Sequence, residues 1–188
     1  MSSREQILAA VKKNQPEATM LPSLQGLSGN MPATLEAYRK VLESLGGSLF
    51  EINDTAQITD LLSEHYPHLQ RVVFADDKRK WVNDDPHQLE DVDMAVVTGT
   101  WGVAENGAIW LTENDIAVRV LPFICQHLAI ILPRERILAT MHDAYEKMGA
   151  PQTGFGVFIA GPSKTADIEQ SLVLGAHGAK SLVVFVLG

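Results

Sequence analysis

A chain of 188 residues, 46% hydrophobic and 20% charged, has the make-up of one domain with a substantial core and is too short for two. Its 23 acidic residues outweigh 15 basic ones, for a formal charge of −8, and the densest basic patch is the short run Asp77-Lys78-Arg79-Lys80. This argues against nucleic acid as a partner, because a duplex demands a concentrated basic face. The single cysteine, Cys125, excludes an intramolecular disulfide and any iron–sulfur cluster held by this chain's cysteines alone.

Ser2 and Ser3 stand three residues before Glu5 and Gln6, a capping-box arrangement, and Ile7, Leu8 and Val11 form a narrow apolar stripe, so a short N-terminal helix is expected. Met1–Lys13 lacks the apolar core of a secretory signal, and no apolar run approaches the ~20 residues of a membrane span. A cytoplasmic protein is the expectation. Residues 14–31 carry Pro16, Pro22, Gly26 and Gly29 among scattered apolar side chains and read either as a linker or as an arm laid over the body. The division is therefore residues 1–31, helix and linker arm, and residues 32–188, an α/β domain.

Leu35, Tyr38, Val41, Leu42 and Leu45 recur at helical spacing, and Gly46-Gly47 supplies the stop. Ser48–Ile52 reads as a strand, and Asp54 opens a helix with Ile58, Leu61, Leu62 and Tyr66 on one face. Strands are expected at Arg71–Ala75, Asp93–Thr98, Gly107–Thr112 and His127–Leu132. Ile137, Leu138, Met141, Tyr145 and Met148 define a helix ending at Gly149. A strand at Phe155–Ala160, a helix from about Lys164 to Leu174 and a strand at Ser181–Leu187 follow. Helices that alternate with uniformly apolar strands predict a three-layer α/β/α fold around a mainly parallel sheet.

Such sheets bind ligands beyond the carboxyl ends of their strands, where three polar loops are expected. The first is Gly161-Pro162-Ser163-Lys164-Thr165-Ala166-Asp167-Ile168-Glu169, whose hydroxyls, ammonium and carboxylate either cap the next helix or hold an anion at its N-terminus. In the second, Gly175-Ala176-His177-Gly178, flanking glycines let a backbone or ligand approach the imidazole, which can bind an anion or move a proton. The third, Thr98–Gly107, sets Glu105 at a sharp turn beside Asn106-Gly107, as a base or nucleophile or simply as a hairpin residue. Trp101 and Trp110 wall a pocket or belong to the core, and Arg119, among apolar neighbours, needs a partner such as Glu105 or a ligand carboxylate. The remaining histidines show no paired ligand spacing, so no metal site is expected, and Cys125 reads as a packed core thiol.

These residues resemble the LUD-domain family, the lactate-utilisation protein C group. The family's Gly-Pro-Ser-(Arg/Lys)-Thr-Ala-Asp-Ile corresponds to Gly161–Ile168, its Gly-Val-His-Gly to Gly175–Gly178, and its Ala-Glu-Thr-Gly to Ala104–Gly107. The chain departs from the pattern at Ala179, where the family has proline, at Asn106, where it has threonine, and in the spacing from Arg119 through Pro122 to His127. The resemblance implies a fold like that of ribose-5-phosphate isomerase, glucosamine-6-phosphate deaminase and the coenzyme A transferases. It also implies an accessory subunit in the oxidation of L-lactate to pyruvate, with no cofactor of its own and with iron–sulfur clusters on partner subunits. Under that reading Gly161, Ser163, Lys164, Thr165 and Gly178 bind a small carboxylate or phosphate, Asp167 positions the loop, and Glu105 and His177 are the acid/base candidates. Ala104–Gly107 also resembles the Ser-Glu-Asn-Gly segment of coenzyme A transferases. This leaves two alternatives, a free-standing transferase-like or sugar-phosphate-isomerase-like enzyme using Glu105, and a non-catalytic binding or scaffold module.

Overall fold

A computed structural model describes residues 2–17, 19–20, 22–23, 29–75, 85–116, 118–150, 153–166 and 172–188. Its centre is a sheet of five strands, β1 (Ser48–Ile52), β2 (Val72–Phe74), β3 (Met94–Thr98), β6 (His127–Pro133) and β11 (Ser181–Leu187). They lie in the order β1-β11-β6-β3-β2 and every neighbouring pair is parallel. Side chains alternate between faces, and in these strands both parities are apolar, which is why the sequence shows runs rather than alternation. Met94, Val96, Ala129, Val183 and Phe185 point to one core, where Ile58 and Leu62 of helix α3 (Gln57–His65) cover them. Ala95, Val97, Leu128, Ile130, Leu182, Val184 and Val186 point to the other.

That second core is capped by two kinds of element. Helix α2 (Leu35–Ser44), capped by Thr34, buries Tyr38 and Leu42, and the one-turn helix α4 (Leu121–Ile124) buries Leu121 in the same core. Beside α2 lies a four-stranded sheet in the order β7-β4-β5-β8, built from β4 (Trp101–Val103), β5 (Ile109–Thr112), β7 (Ile137–Leu138) and β8 (Gly156–Ile159). The mainly parallel α/β core is thus as the apolar runs predict, with the second sheet sharing the cover on one face. The Tyr38 hydroxyl donates to the carbonyl oxygen of Gly107 at 3.5 Å, and burial pushes the phenol's pKa far above the usual range.

Two expectations give way here. Residues 164–166 and 172–174, expected to begin and end a helix, are instead strands β9 (Lys164–Ala166) and β10 (Leu172–Leu174), paired antiparallel with Thr165 opposite Val173. β-Branched residues stiff at χ1 favour that pleated pairing. The chain enters it already extended, because Ser163 N–H donates to Ala179 and the Ser163 carbonyl accepts from Gly175 N–H. Residues 167–171, including Asp167, lie outside the described residues. Likewise Ile137 and Leu138 pair with β4, and the helix there, α5 (Met141–Met148), starts only at the capping box formed by Thr140 and Asp143.

At the amino end, helix α1 (Ser3–Lys13) carries the predicted capping box between Ser2 and Glu5, and none of its residues is buried. Ile7, Leu8 and Val11 are all more than half exposed. The arm meets the body at Met31, which packs against the larger core.

Candidate functional site

The two glycine-rich motifs near the carboxyl end of the chain come together. Gly161 has φ +74°, and a Cβ built on it would lie 3.0 Å from Leu45 Cβ, so this loop is pressed against the last turn of α2. Pro162 lies over Gly46, and the backbone of Ser163 is laced to both Gly175 and Ala179. A Cβ on Gly178 would meet Ser163 Cβ at 3.1 Å. Gly161, Pro162, Ser163, His177 and Gly178 thereby line one 240 Å³ cleft, whose remaining wall is mostly apolar and includes Pro122, Phe123, Leu128, Val157 and Leu182. Its chemistry is a serine hydroxyl and an exposed imidazole at the rim of an apolar hollow. Lys164 and Thr165 belong to β9 and are not among the residues lining this cleft.

The cleft does not occupy the expected edge of the sheet. Ala179, which holds Ser163, precedes the first residue of β11 by two positions, so the cleft lies at the amino edge of the parallel strands. The reason is that Gly156–Ile159 joins the second sheet, antiparallel to β5, and does not enter the parallel one. With no helix starting at Ser163, a helix N-terminus is not available to this motif either.

Glu105 is in the turn of the β4–β5 hairpin, as Asn106-Gly107 suggests, with Asn106 Oδ1 accepting from Ala108 N–H at 3.1 Å. Its Oε2 accepts the N–H of Met141 at 2.8 Å, which satisfies one of the unpaired amides at the start of α5. The hairpin returns at Gly107, φ +68°, where a Cβ would be 3.1 Å from Leu45 Cδ1. The turn of Glu105 and the loop of Gly161 thus flank the same leucine at the end of α2. Glu105 itself is not among the residues lining the 240 Å³ cleft.

A larger cavity, 610 Å³, opens at the other edge. Its walls include Trp101 and Trp110, which face each other across the β4–β5 pair, together with Met148 and Phe155. Thr100 stands two residues beyond the end of β3, and Arg136 three beyond the end of β6, so this is the carboxyl edge. Asp115 Oδ2 accepts from Thr100 Oγ1 at 2.8 Å, Thr112 Oγ1 at 2.7 Å and Thr112 N–H at 2.7 Å. The Arg136 guanidinium lies 5.9 Å from the Trp101 ring centre, and Lys147 of α5 adds a second cation. Trp110 is fixed from behind by Phe158, ring centres 4.6 Å apart. Sequence reasoning finds the tryptophans but misses Asp115, Arg136 and Lys147, which no spacing links.

Arg119 finds its partner in Glu113, not in Glu105: its Nη2 donates to Glu113 Oε2 at 2.6 Å. That hydrogen bond, followed by one from Gly154 N–H, holds the Glu113 carboxyl below its usual range. Since Gly154 lines the large cavity, this exposed pair ties down part of its rim. Cys125 is buried and its thiol is pushed up to about 11 by desolvation. Among the described residues no group of three or more His, Cys, Asp or Glu could hold a metal, and no helix is long and apolar enough to cross a membrane.

Compared with known proteins, the chain matches the family model of the LUD domain over residues 4–187. It belongs to the LUD-domain family. Among LUD relatives, the chain is 32% identical over 108 residues to lactate utilization protein C of Shouchella clausii, a match covering 52% of this chain and 47% of that protein. It is 26% identical over 159 residues to the uncharacterized protein YkgG of Escherichia coli, covering 81% of this chain and 68% of that one. The matches span about half the length of the lactate utilization protein C relatives. The LUD fold itself is shared with the crystal structure of a DUF162 family protein from Deinococcus radiodurans, with a TM-score of 0.63 at 16% identity over 82% of this chain and 96% of that one.

Proposed function

We propose that this LUD-domain chain is an accessory subunit of an L-lactate utilisation system and binds a small carboxylate in the cleft between Gly161–Ser163 and His177-Gly178. The observation that carries the reading is the lacing of Ser163 to Gly175 and Ala179, which makes one 240 Å³ cleft of the two motifs. A short hydroxy or keto acid pairs a methyl group with a carboxylate, and the cleft pairs an apolar wall with a hydroxyl and an imidazole. Support for the lactate assignment comes from relatives named lactate utilization protein C.

In this reading Ser163 and His177 contact the carboxylate, and His177 moves a proton. Glu105 is the second acid/base candidate, with one oxygen engaged by Met141 and the other left for a partner or ligand. Lys164 and Thr165 act from the β9 side, where the Lys164 ammonium draws the anion toward the cleft. Oxidation of lactate to pyruvate removes two electrons and two protons, and the electrons pass to iron–sulfur partner subunits, because a lone buried cysteine offers no cluster ligand set. The test has two arms. Deletion in a strain without a paralogue should abolish growth on L-lactate and spare growth on glucose. Calorimetric titration of the protein with L-lactate and pyruvate should show binding that Ser163→Ala and His177→Ala weaken. Unchanged growth would remove the lactate assignment, and unaltered binding by both variants would remove the cleft.

A further inference from the structure

The 610 Å³ cavity at the carboxyl edge is separate from the cleft just described and has different chemistry. Two of its lining residues, Arg136 and Lys147, are cations. Arg39, Arg71, Arg119 and Arg134 each pair with a carboxylate, whereas Arg136 and Lys147 have no ion-pair partner among the described residues. In a chain carrying 23 acidic residues, two uncompensated cations at one cavity mark a place for an anion. The volume lies within the ~300–1,000 Å³ of sites for drug-sized ligands, and a three-carbon acid would leave most of it filled with water.

Two further features narrow the class. Trp101 and Trp110 present flat aromatic surface that a bare phosphate or an aliphatic acid does not use. Asp115 repels an anion, so it belongs next to a part of the ligand that donates hydrogen bonds. Its three hydrogen bonds all fall on Oδ2, and Oδ1 retains its capacity to accept. A flat ring, then hydroxyl donors, then a negative group is the sequence of parts in a nucleotide.

We propose that this cavity is a nucleotide site, with the base against Trp101 and Trp110, a ribose hydroxyl donating to Asp115, and phosphate held by Arg136 and Lys147. Bidentate pairing suits the Arg136 guanidinium, which can stay stacked on Trp101 while its edge meets phosphate. The site is independent of the lactate reading and would serve either a bound cofactor or a regulatory ligand.

Tryptophan fluorescence of the full chain, titrated with ADP and with GDP at low ionic strength, reads the site directly. Adenosine and inorganic phosphate serve as the separated halves. At least one of the two nucleotides should give saturable quenching and bind more tightly than either half. Arg136→Ala and Lys147→Ala, both at exposed positions that the fold does not need, should each weaken it about tenfold. Lys40→Ala, on the exposed face of α2, should not. Absence of saturable quenching by both nucleotides at millimolar concentration overturns the proposal. So does phosphate binding as tightly as ADP and GDP, or unchanged affinity in the Arg136 and Lys147 variants.

Discussion

Adding one methyl group at Gly161 tests the placement of the central motif. Two costs follow from its geometry. Left-handed φ disfavours a Cβ by about 1–2 kcal/mol. The added carbon would also lie 3.0 Å from Leu45 Cβ and 3.3 Å from the Leu45 carbonyl oxygen, neither of which is a flexible tip that can swing aside. Overpacking of that kind costs about 1–3 kcal/mol. Gly46→Ala isolates the first cost, because Gly46 has φ +88° in the same corner while its Cβ would meet Pro162 only at 3.7 Å, an ordinary contact. Gly46→Ala should therefore lose about 1–2 kcal/mol and Gly161→Ala about 2–5 kcal/mol. Urea unfolding followed by far-ultraviolet circular dichroism measures both, and thermal midpoints should fall by ~2–4 °C per kcal/mol. If the two variants agree within ~0.5 kcal/mol, Gly161 is not pressed against α2, and the convergence of the two loops on Leu45 is wrong.

Glu105→Gln should lower stability by about 0.3–1 kcal/mol, the worth of a charge at a helix start, and a loss above ~2 kcal/mol in chemical denaturation would show a burden beyond the Met141 contact. Burial, followed by repulsion from Lys180, depresses the pKa of His127, so its contribution is fully present above the unfolded value near 6.5 and fades as pH falls through the folded one. The urea midpoint of His127→Gln should fall less than wild type between pH 7 and 5. His87 at the surface is raised by Asp85 and works in the opposite sense in both proteins, so it cancels in the difference, and parallel profiles would refute the assignment. With its thiol at about 11, Cys125 is roughly one part in a thousand thiolate at pH 8 and is buried besides. An aromatic disulfide reagent should leave it untouched in the native protein and label it fully in urea; stoichiometric native labelling within minutes would contradict the packing.

The sequence is most legible where a local signal and the tertiary environment agree. Ser48–Ile52 coincides with β1, and the capping box of α1 and the glycine stop of α2 lie where the chain spells them. Legibility fails where partners are distant in sequence. Lys164–Ala166 becomes a strand only because Leu172–Leu174 and the Ser163 lacing supply its partners, and Ile137-Leu138 leaves its helical pattern to pair with β4. The two glycine-rich motifs are visible as motifs, yet their position at the amino edge depends on β8 joining the second sheet. Asp115, Arg136 and Lys147 carry no signature at all, since each arrives at the cavity from a different element.

The last strand in chain order has a further consequence for how the domain is made. β11 sits between β1 and β6, and among the described residues β1 has no other neighbour in the parallel sheet. During synthesis β1, β2, β3 and β6 emerge long before the strand that joins the first of them to the rest. Residues 48–52 must wait, their backbone edge unpaired, until residues 181–187 have been made. A nascent chain stalled before that point has an open sheet and an unpaired edge, and offers chaperones a larger target than its length suggests.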